Sequence, residues 1–141
     1  MKLDLLAIAA HPDDVELTCG GTMIKLAEHG HKVGILDLTR GEMGSRGTPE
    51  TRQREADEAA RILGVHHREN LGLPDARLAV TDEFKLAVAR RIREFRPHTV
   101  ILPYWKSRHP DHYNAGRLAY EGCFLAGLKQ LPLEGEAFRP F

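Results

Sequence analysis

The chain has 141 residues, within the rough span of about 100–200 residues for one domain, and a chain of this size can build a core without a disulfide or metal staple. Twenty Lys and Arg balance twenty Asp and Glu, so no cationic excess draws the chain to nucleic acid or an anionic membrane. No apolar stretch approaches the roughly 18 residues of a membrane span, and Cys19 and Cys123 are too few for a secreted disulfide framework.

The composition is that of a globular protein, and the N-terminus Met1-Lys2-Leu3-Asp4 lacks the pattern of a signal peptide. The expectation is a soluble cytoplasmic domain covering residues 1–141. Residues 3–10 (LDLLAIAA) are almost continuously apolar, as a strand covered on both faces must be. A helix is predicted over 20–29, stopped by Gly30. Residues 32–39 (KVGILDLT) predict a second buried strand. Thr48 is a natural N-cap for a helix over 49–63, with Pro49 in its first turn and Gly64 at its end. A weaker strand is predicted over 67–71. Thr81 or Asp82 can cap a helix in which Phe84, Val88, Ile92 and Phe95 form one stripe, ended by Pro97. Residues 98–103 (HTVILP) predict a fourth strand, and 113–129 a fourth helix. The final residues 131–141 are turn-rich, with Arg139-Pro140-Phe141 placed where a further strand could begin.

This βα alternation predicts a three-layer α/β/α architecture on a mainly parallel sheet. Four strands are few where sheets average about five to six, so a C-terminally incomplete domain is expected. Chemistry in such sheets collects beyond the carboxyl ends of the strands, which singles out residues 10–19, 39–48 and 103–114.

The first of these loops reads Ala10-His11-Pro12-Asp13-Asp14. It has no G-x-G-x-x-G turn, which argues against a dinucleotide site. His11 and Asp14, three residues apart, could aim at one cation, leaving Asp13 beside a water that the cation binds. A catalytic zinc takes about three protein ligands and keeps a position for water. The later run Arg108-His109-Pro110-Asp111-His112 can supply the third ligand. Together the two clusters offer His11, Asp14 and His112 as ligands, with Asp13 and His109 left for proton transfer. Either cluster alone has a plainer explanation as a helix cap or a solvated loop; their joint placement at strand ends favours a site. Cys19, although near the first loop, reads more simply as a small buried hydrophobe.

The runs AHPDD and HPDH, with the intervening TRGEMGSRGT (residues 39–48) and NLGLPD (residues 70–75), resemble the LmbE-like (PIG-L-type) zinc N-deacetylase family. They are most similar to its bacillithiol-biosynthesis branch, which acts on N-acetylglucosaminyl malate. The resemblance implies a Rossmann-like fold, a divalent metal (usually zinc), and hydrolysis of an acetamide on glucosamine. It places His11, Asp14 and His112 on the metal ligands, Asp13 on the general base and His109 on the catalytic histidine, with Asp111 available to orient His109. Arg52, Glu42 and Asp75 are the implied substrate contacts, Arg52 suiting a malate carboxylate. Family members continue beyond the equivalent of Phe141 with a segment that covers the substrate. Ser107 stands where some relatives carry tyrosine, and Tyr104 is out of register with it and receives no role.

Three other readings stay open: a deacetylase of another N-acetylglucosamine compound, a hydrolase of phosphoesters, and a metal-binding domain without catalysis. Only Arg40, Arg46 and Arg108 offer cationic charge to a phosphate in the loops. An uncovered edge strand and apolar helix faces predict association with a second copy.

Overall fold

The apolar runs at 3–10 and 32–39 become the two central strands of the sheet, and each of their paired residues is buried. The computed structural model describes residues 1–140. In chain order the elements are β1 (Leu5–Ala9), α1 (Asp14–Glu28), β2 (Val33–Thr39), α2 (Pro49–Leu63), β3 (His67–Leu73), α3 (Asp82–Phe95), β4 (Thr99–Ile101) and α4 (Pro110–Ala126). The strands run parallel in the order β3-β2-β1-β4. Arg139 and Pro140 are not in a strand, and Phe141 lies outside the described residues. Among the described residues, no helix is long and apolar enough to cross a membrane.

Alternate residues of the central strands feed two apolar layers. Leu6, Ile8, Leu36 and Leu38 pack with Val88 and Ile92 of α3 and Leu118 of α4. Leu5, Ala7, Val33 and Ile35 pack with Val15 and Met23 of α1 and Leu63 of α2. The result is the three-layer α/β/α arrangement expected from the pattern. The helix pair α3–α4 is drawn close by Gly122, where a Cβ would lie 2.8 Å from a methyl of Val88. Between the layers, Arg68 of β3 crosses to Asp37 of β2 (Nε–Oδ2 2.8 Å) and to Glu16 of α1, bridging three elements with a side chain only 5% exposed.

The best-defined helix is α2. Thr48 Oγ1 accepts the Thr51 N–H, Pro49 opens the first turn, and Gly64 closes the helix at φ 68°. Two helices differ from expectation. α1 begins at Asp14 rather than at residue 20: its first turn carries Asp14 and Glu16, which the helix N-terminus favours, and the Gly20-Gly21 pair is internal, next to a kink at Cys19 (φ −141°, ψ 17°). α4 begins at Pro110 and ends at Ala126 instead of spanning 113–129. Its cap is His109, whose Nδ1 accepts the Asp111 N–H, and histidine lies outside the usual set of N-cap residues. β3 continues two residues beyond 71, through Gly72 at φ 64° and a register shift opposite Asp37 and Thr39. As an edge strand carrying the charged residues Arg68 and Glu69, it has a weak apolar signal.

Candidate metal centre

Three segments meet at the carboxyl end of the sheet. β1 delivers the His11–Asp14 turn, the segment after β3 delivers Asp75, and the N-cap and first turn of α4 deliver His109, Asp111 and His112. Within the first turn, the His11 N–H donates to Asp14 Oδ2 at 2.9 Å, and the Asp14 N–H donates to the His11 carbonyl at 3.2 Å. The turn therefore aims both side chains the same way. Asp13 sits at the N-cap position of α1 without a capping hydrogen bond, at φ 143° and ψ −23°. That backbone conformation is costly for a residue with a Cβ, on the order of 1–3 kcal/mol.

His11 is the hub. Its Nδ1 lies 3.3 Å from His112 Nε2 and 3.4 Å from Asp14 Oδ2, and His112 Nε2 lies 3.2 Å from Asp14 Oδ1. Ligand–zinc bonds near 2.0–2.1 Å set donor atoms about 3.3 Å apart along the edges of a tetrahedron. The separation of the two imidazole nitrogens matches that edge, and Asp14 presents one oxygen to each imidazole at a similar distance, so the trio can surround one cation. His11 Nε2 faces Asp75 Oδ1 at 2.9 Å and Asp111 Oδ2 at 3.1 Å. Two carboxylates at this nitrogen hold the ring proton there and leave the Nδ1 lone pair for a metal, as outer carboxylates do for metal-binding histidines. A second trio, His11, His109 and Asp111, also brings donor atoms within 4.8 Å. Its Asp111 oxygens are already taken by the Ala76 N–H (2.8 Å) and the Leu78 N–H (3.1 Å), so the first trio is the better cage.

The charges tell the same story. Burial works against an imidazolium at His11, yet the carboxylates of Asp14, Asp75 and Asp111 push its pKa up to about 9. Burial would raise Asp14 and Asp75, but His11 holds Asp14 below the ordinary carboxylate value, and the Met43 N–H, His11 and the Ala76 N–H do the same for Asp75. Burial, and then the neighbouring Asp14, raise Asp13. A cluster of carboxylates around one imidazole is a pattern that a cation neutralises.

Asp13 and His109 are exposed and line one open depression with His11, Asp14 and Asp75. The His109 ring lies 4.8 Å from the rings of both His11 and His112. Four of the expected residues, Asp111, Asp75, Glu42 and Arg52, make defined contacts within the protein. No hydrogen bond joins the Asp111 carboxylate to His109; that contact runs through the Asp111 N–H at 3.1 Å, while the carboxylate, 1% exposed, supports His11. Asp75 likewise turns onto His11 and the Met43 N–H, and Glu42 Oε1 accepts the Asp75 N–H at 2.8 Å. Arg52 donates to the carbonyls of Pro12 (3.0 Å) and Gly41 (3.4 Å) and pairs with Asp13 at 3.6 Å, so it fastens the strained turn to the β2–α2 loop. Sequence reasoning gave no part to Ser107, whose Oγ stands 3.5 Å from His112 Nδ1 and accepts the His109 N–H. It also missed the backbone of Ala76 and Leu78; the positive φ of Ala76 (62°) leaves no mark in a one-dimensional pattern.

The chain is similar to known proteins along most of its length. The family model described as GlcNAc-PI de-N-acetylase (PIG-L) matches residues 6–123. The chain is 37% identical over 134 residues to a diacetylchitobiose deacetylase of Thermococcus kodakarensis, covering 88% of this chain and 50% of that protein. It is 44% identical over 166 residues to a 1D-myo-inositol 2-acetamido-2-deoxy-alpha-D-glucopyranoside deacetylase of a Nocardioides species, covering 88% and 55%. The crystal structure of the conserved protein TT1542 from Thermus thermophilus superposes with a TM-score of 0.95 at 55% identity, covering 97% of this chain and 63% of that one. The chain thus spans about half the length of the curated relatives it matches. With most of its length matched by the family model and its fold shared, this chain belongs to the GlcNAc-PI de-N-acetylase (PIG-L, LmbE-like) family.

Proposed function

We propose that this chain carries the catalytic part of a zinc-dependent N-deacetylase, which hydrolyses the acetamide of an N-acetylglucosamine conjugate. The observation that carries the reading is the convergence of His11 Nδ1 and His112 Nε2, 3.3 Å apart, on the two Asp14 oxygens, beside the exposed Asp13 and His109. A zinc ion held by that trio would supply Lewis acidity toward the amide carbonyl and a water nucleophile available near neutral pH. Asp13 takes the proton of the attacking water on its carboxylate. The Nδ1 of His109 is occupied by the Asp111 N–H, so its proton sits on Nε2, the atom that donates to the developing oxyanion or to the leaving amine nitrogen. Asp75 and Asp111 hold the His11 ring, and Arg52 holds Asp13. The amide C–N bond breaks, acetate and the free amine leave, and no covalent enzyme intermediate forms.

The names of the relatives favour an acetamido sugar as substrate. Arg46 and Arg52 line a polar depression of about 440 Å³ next to Asp13, together with Glu16 and Glu55, a lining whose mixed charges suit the hydroxyls of a sugar. The test is acetate release from N-acetylglucosaminyl malate, diacetylchitobiose and the inositol glycoside, with zinc and with a chelator, beside a phosphomonoester. Chelator-sensitive hydrolysis of at least one amide is expected. Inert amides, or turnover of the phosphomonoester alone, would refute the reading. Self-association through the open β4 edge goes with it, and light scattering on the purified chain checks that point.

A further inference from the structure

Asp14 faces two ways: it borders the polar depression that holds Asp13 and His109, and together with His112 it lines a separate cavity of about 350 Å³ between α1, β1 and the β4–α4 loop. The walls of that cavity are mainly apolar, with Val15 and Cys19 from α1, Ile101 from β4 and Tyr104 beyond it. Thr18 is among the lining residues, but its hydroxyl already donates to the Asp14 carbonyl at 2.6 Å. Lys106 and Ser107 belong to the exposed loop.

An acetyl group ends in a single methyl and leaves such a cavity almost empty, whereas pockets of roughly 300–1,000 Å³ hold whole small ligands. A scissile carbonyl at the donor trio has two exits. The hydroxyl-rich sugar on its amine side cannot enter apolar walls without losing hydrogen bonds to water, so it leaves toward Asp13, Arg46 and Arg52. The acyl side is then directed past Asp14 and His112 into the apolar cavity. Resting on the amidohydrolase reading above, we infer that this cavity is an acyl subsite and takes straight-chain acyl groups longer than acetyl. The substrate class becomes the N-acylglucosamines with short to medium chains, and the products are the corresponding carboxylate and the free amine.

The experiment measures amine release by the full chain loaded with zinc, on N-acetyl-, N-butanoyl- and N-hexanoylglucosamine. Burial of each added methylene should raise kcat/KM by roughly two- to fourfold. Cys19→Phe, which projects a ring into the cavity, should lower the ratio of hexanoyl to acetyl turnover at least tenfold. Trp105 is the only tryptophan and packs on Tyr104 with ring centroids 4.1 Å apart, so it supplies a readout that needs no turnover. Hexanoate should change its fluorescence saturably, and acetate at the same concentrations should not. If acetyl turns over and longer chains bring no gain, the acyl subsite is refuted and the deacetylase reading stands. If no amide is cleaved, that reading fails, and a flat hexanoate titration would overturn the cavity assignment separately.

Discussion

Replacing Asp111 by asparagine keeps the side-chain shape and changes only what its second oxygen can do. In the parent, Oδ1 accepts the Leu78 N–H at 3.1 Å, while Oδ2 accepts the Ala76 N–H at 2.8 Å and faces His11 Nε2 at 3.1 Å. An amide has one acceptor and one donor end. Whichever way it turns, an NH2 group meets at least one N–H in a site that is 1% exposed. An unsatisfied buried donor costs about 1–3 kcal/mol, which for a domain of this size lowers Tm by roughly 3–12 °C. Loss of the carboxylate behind a ligating histidine typically weakens metal binding about 10–100-fold. Asp111→Asn should therefore melt earlier in a chelator and bind zinc one to two orders of magnitude more weakly, measured by competition with a chromophoric chelator. A variant that melts early yet keeps parental zinc affinity would show that Asp111 only anchors the residue 76–78 backbone. Parental behaviour in both assays would refute the polar accounting itself.

The two histidines of the second cluster should separate cleanly: His112→Ala should purify with little zinc, whereas His109→Ala should retain zinc and lose about 10²–10⁴-fold in turnover, as metal analysis and initial rates will show. Gly116 lies where a Cβ would come within 2.5 Å of the Pro103 carbonyl oxygen; backbone cannot step aside, so Gly116→Ala should cost about 1–3 kcal/mol, read as a lower urea midpoint. Burial pushes the Cys123 thiol up to about 11 from 9.0. Above pH 9 the unfolded chain gives up that proton while the native state keeps it, so stability present below pH 9 falls between pH 9 and 11. Urea midpoints across that range should decline, and Cys123→Ala should decline less steeply.

The parts of the molecule written in local pattern were legible in the sequence. β1 and β2 follow from predominantly apolar runs, and α2 has the limits that Thr48, Pro49 and Gly64 set for it. The convergence of His11, Asp14 and His112 follows from two short clusters placed at strand ends. What could not be read is the direction in which carboxylates point once distant segments meet. Asp75 and Asp111 are 64 and 100 residues from His11, and nothing in their neighbours says that they will close on one imidazole nitrogen. Arg52 is similar: the resemblance implies a substrate contact, and only the fold brings the Pro12 and Gly41 carbonyls to it. The start of α4 was missed because a histidine side chain does the work of a serine or aspartate cap.

The span of those contacts also sets when the site can exist during folding. The hub at His11 needs partners from the segment after β3 and from the first turn of α4, so it closes only after most of the parallel sheet has been assembled. Loop closures of that length are entropically late events. In the unfolded chain, zinc would meet only scattered histidines and carboxylates, not a tetrahedral cage, and its affinity belongs to the native state. Zinc should then act as a lock on the finished molecule: it slows unfolding and leaves the rate of folding nearly untouched, the kinetic mark of an interaction absent from the transition state.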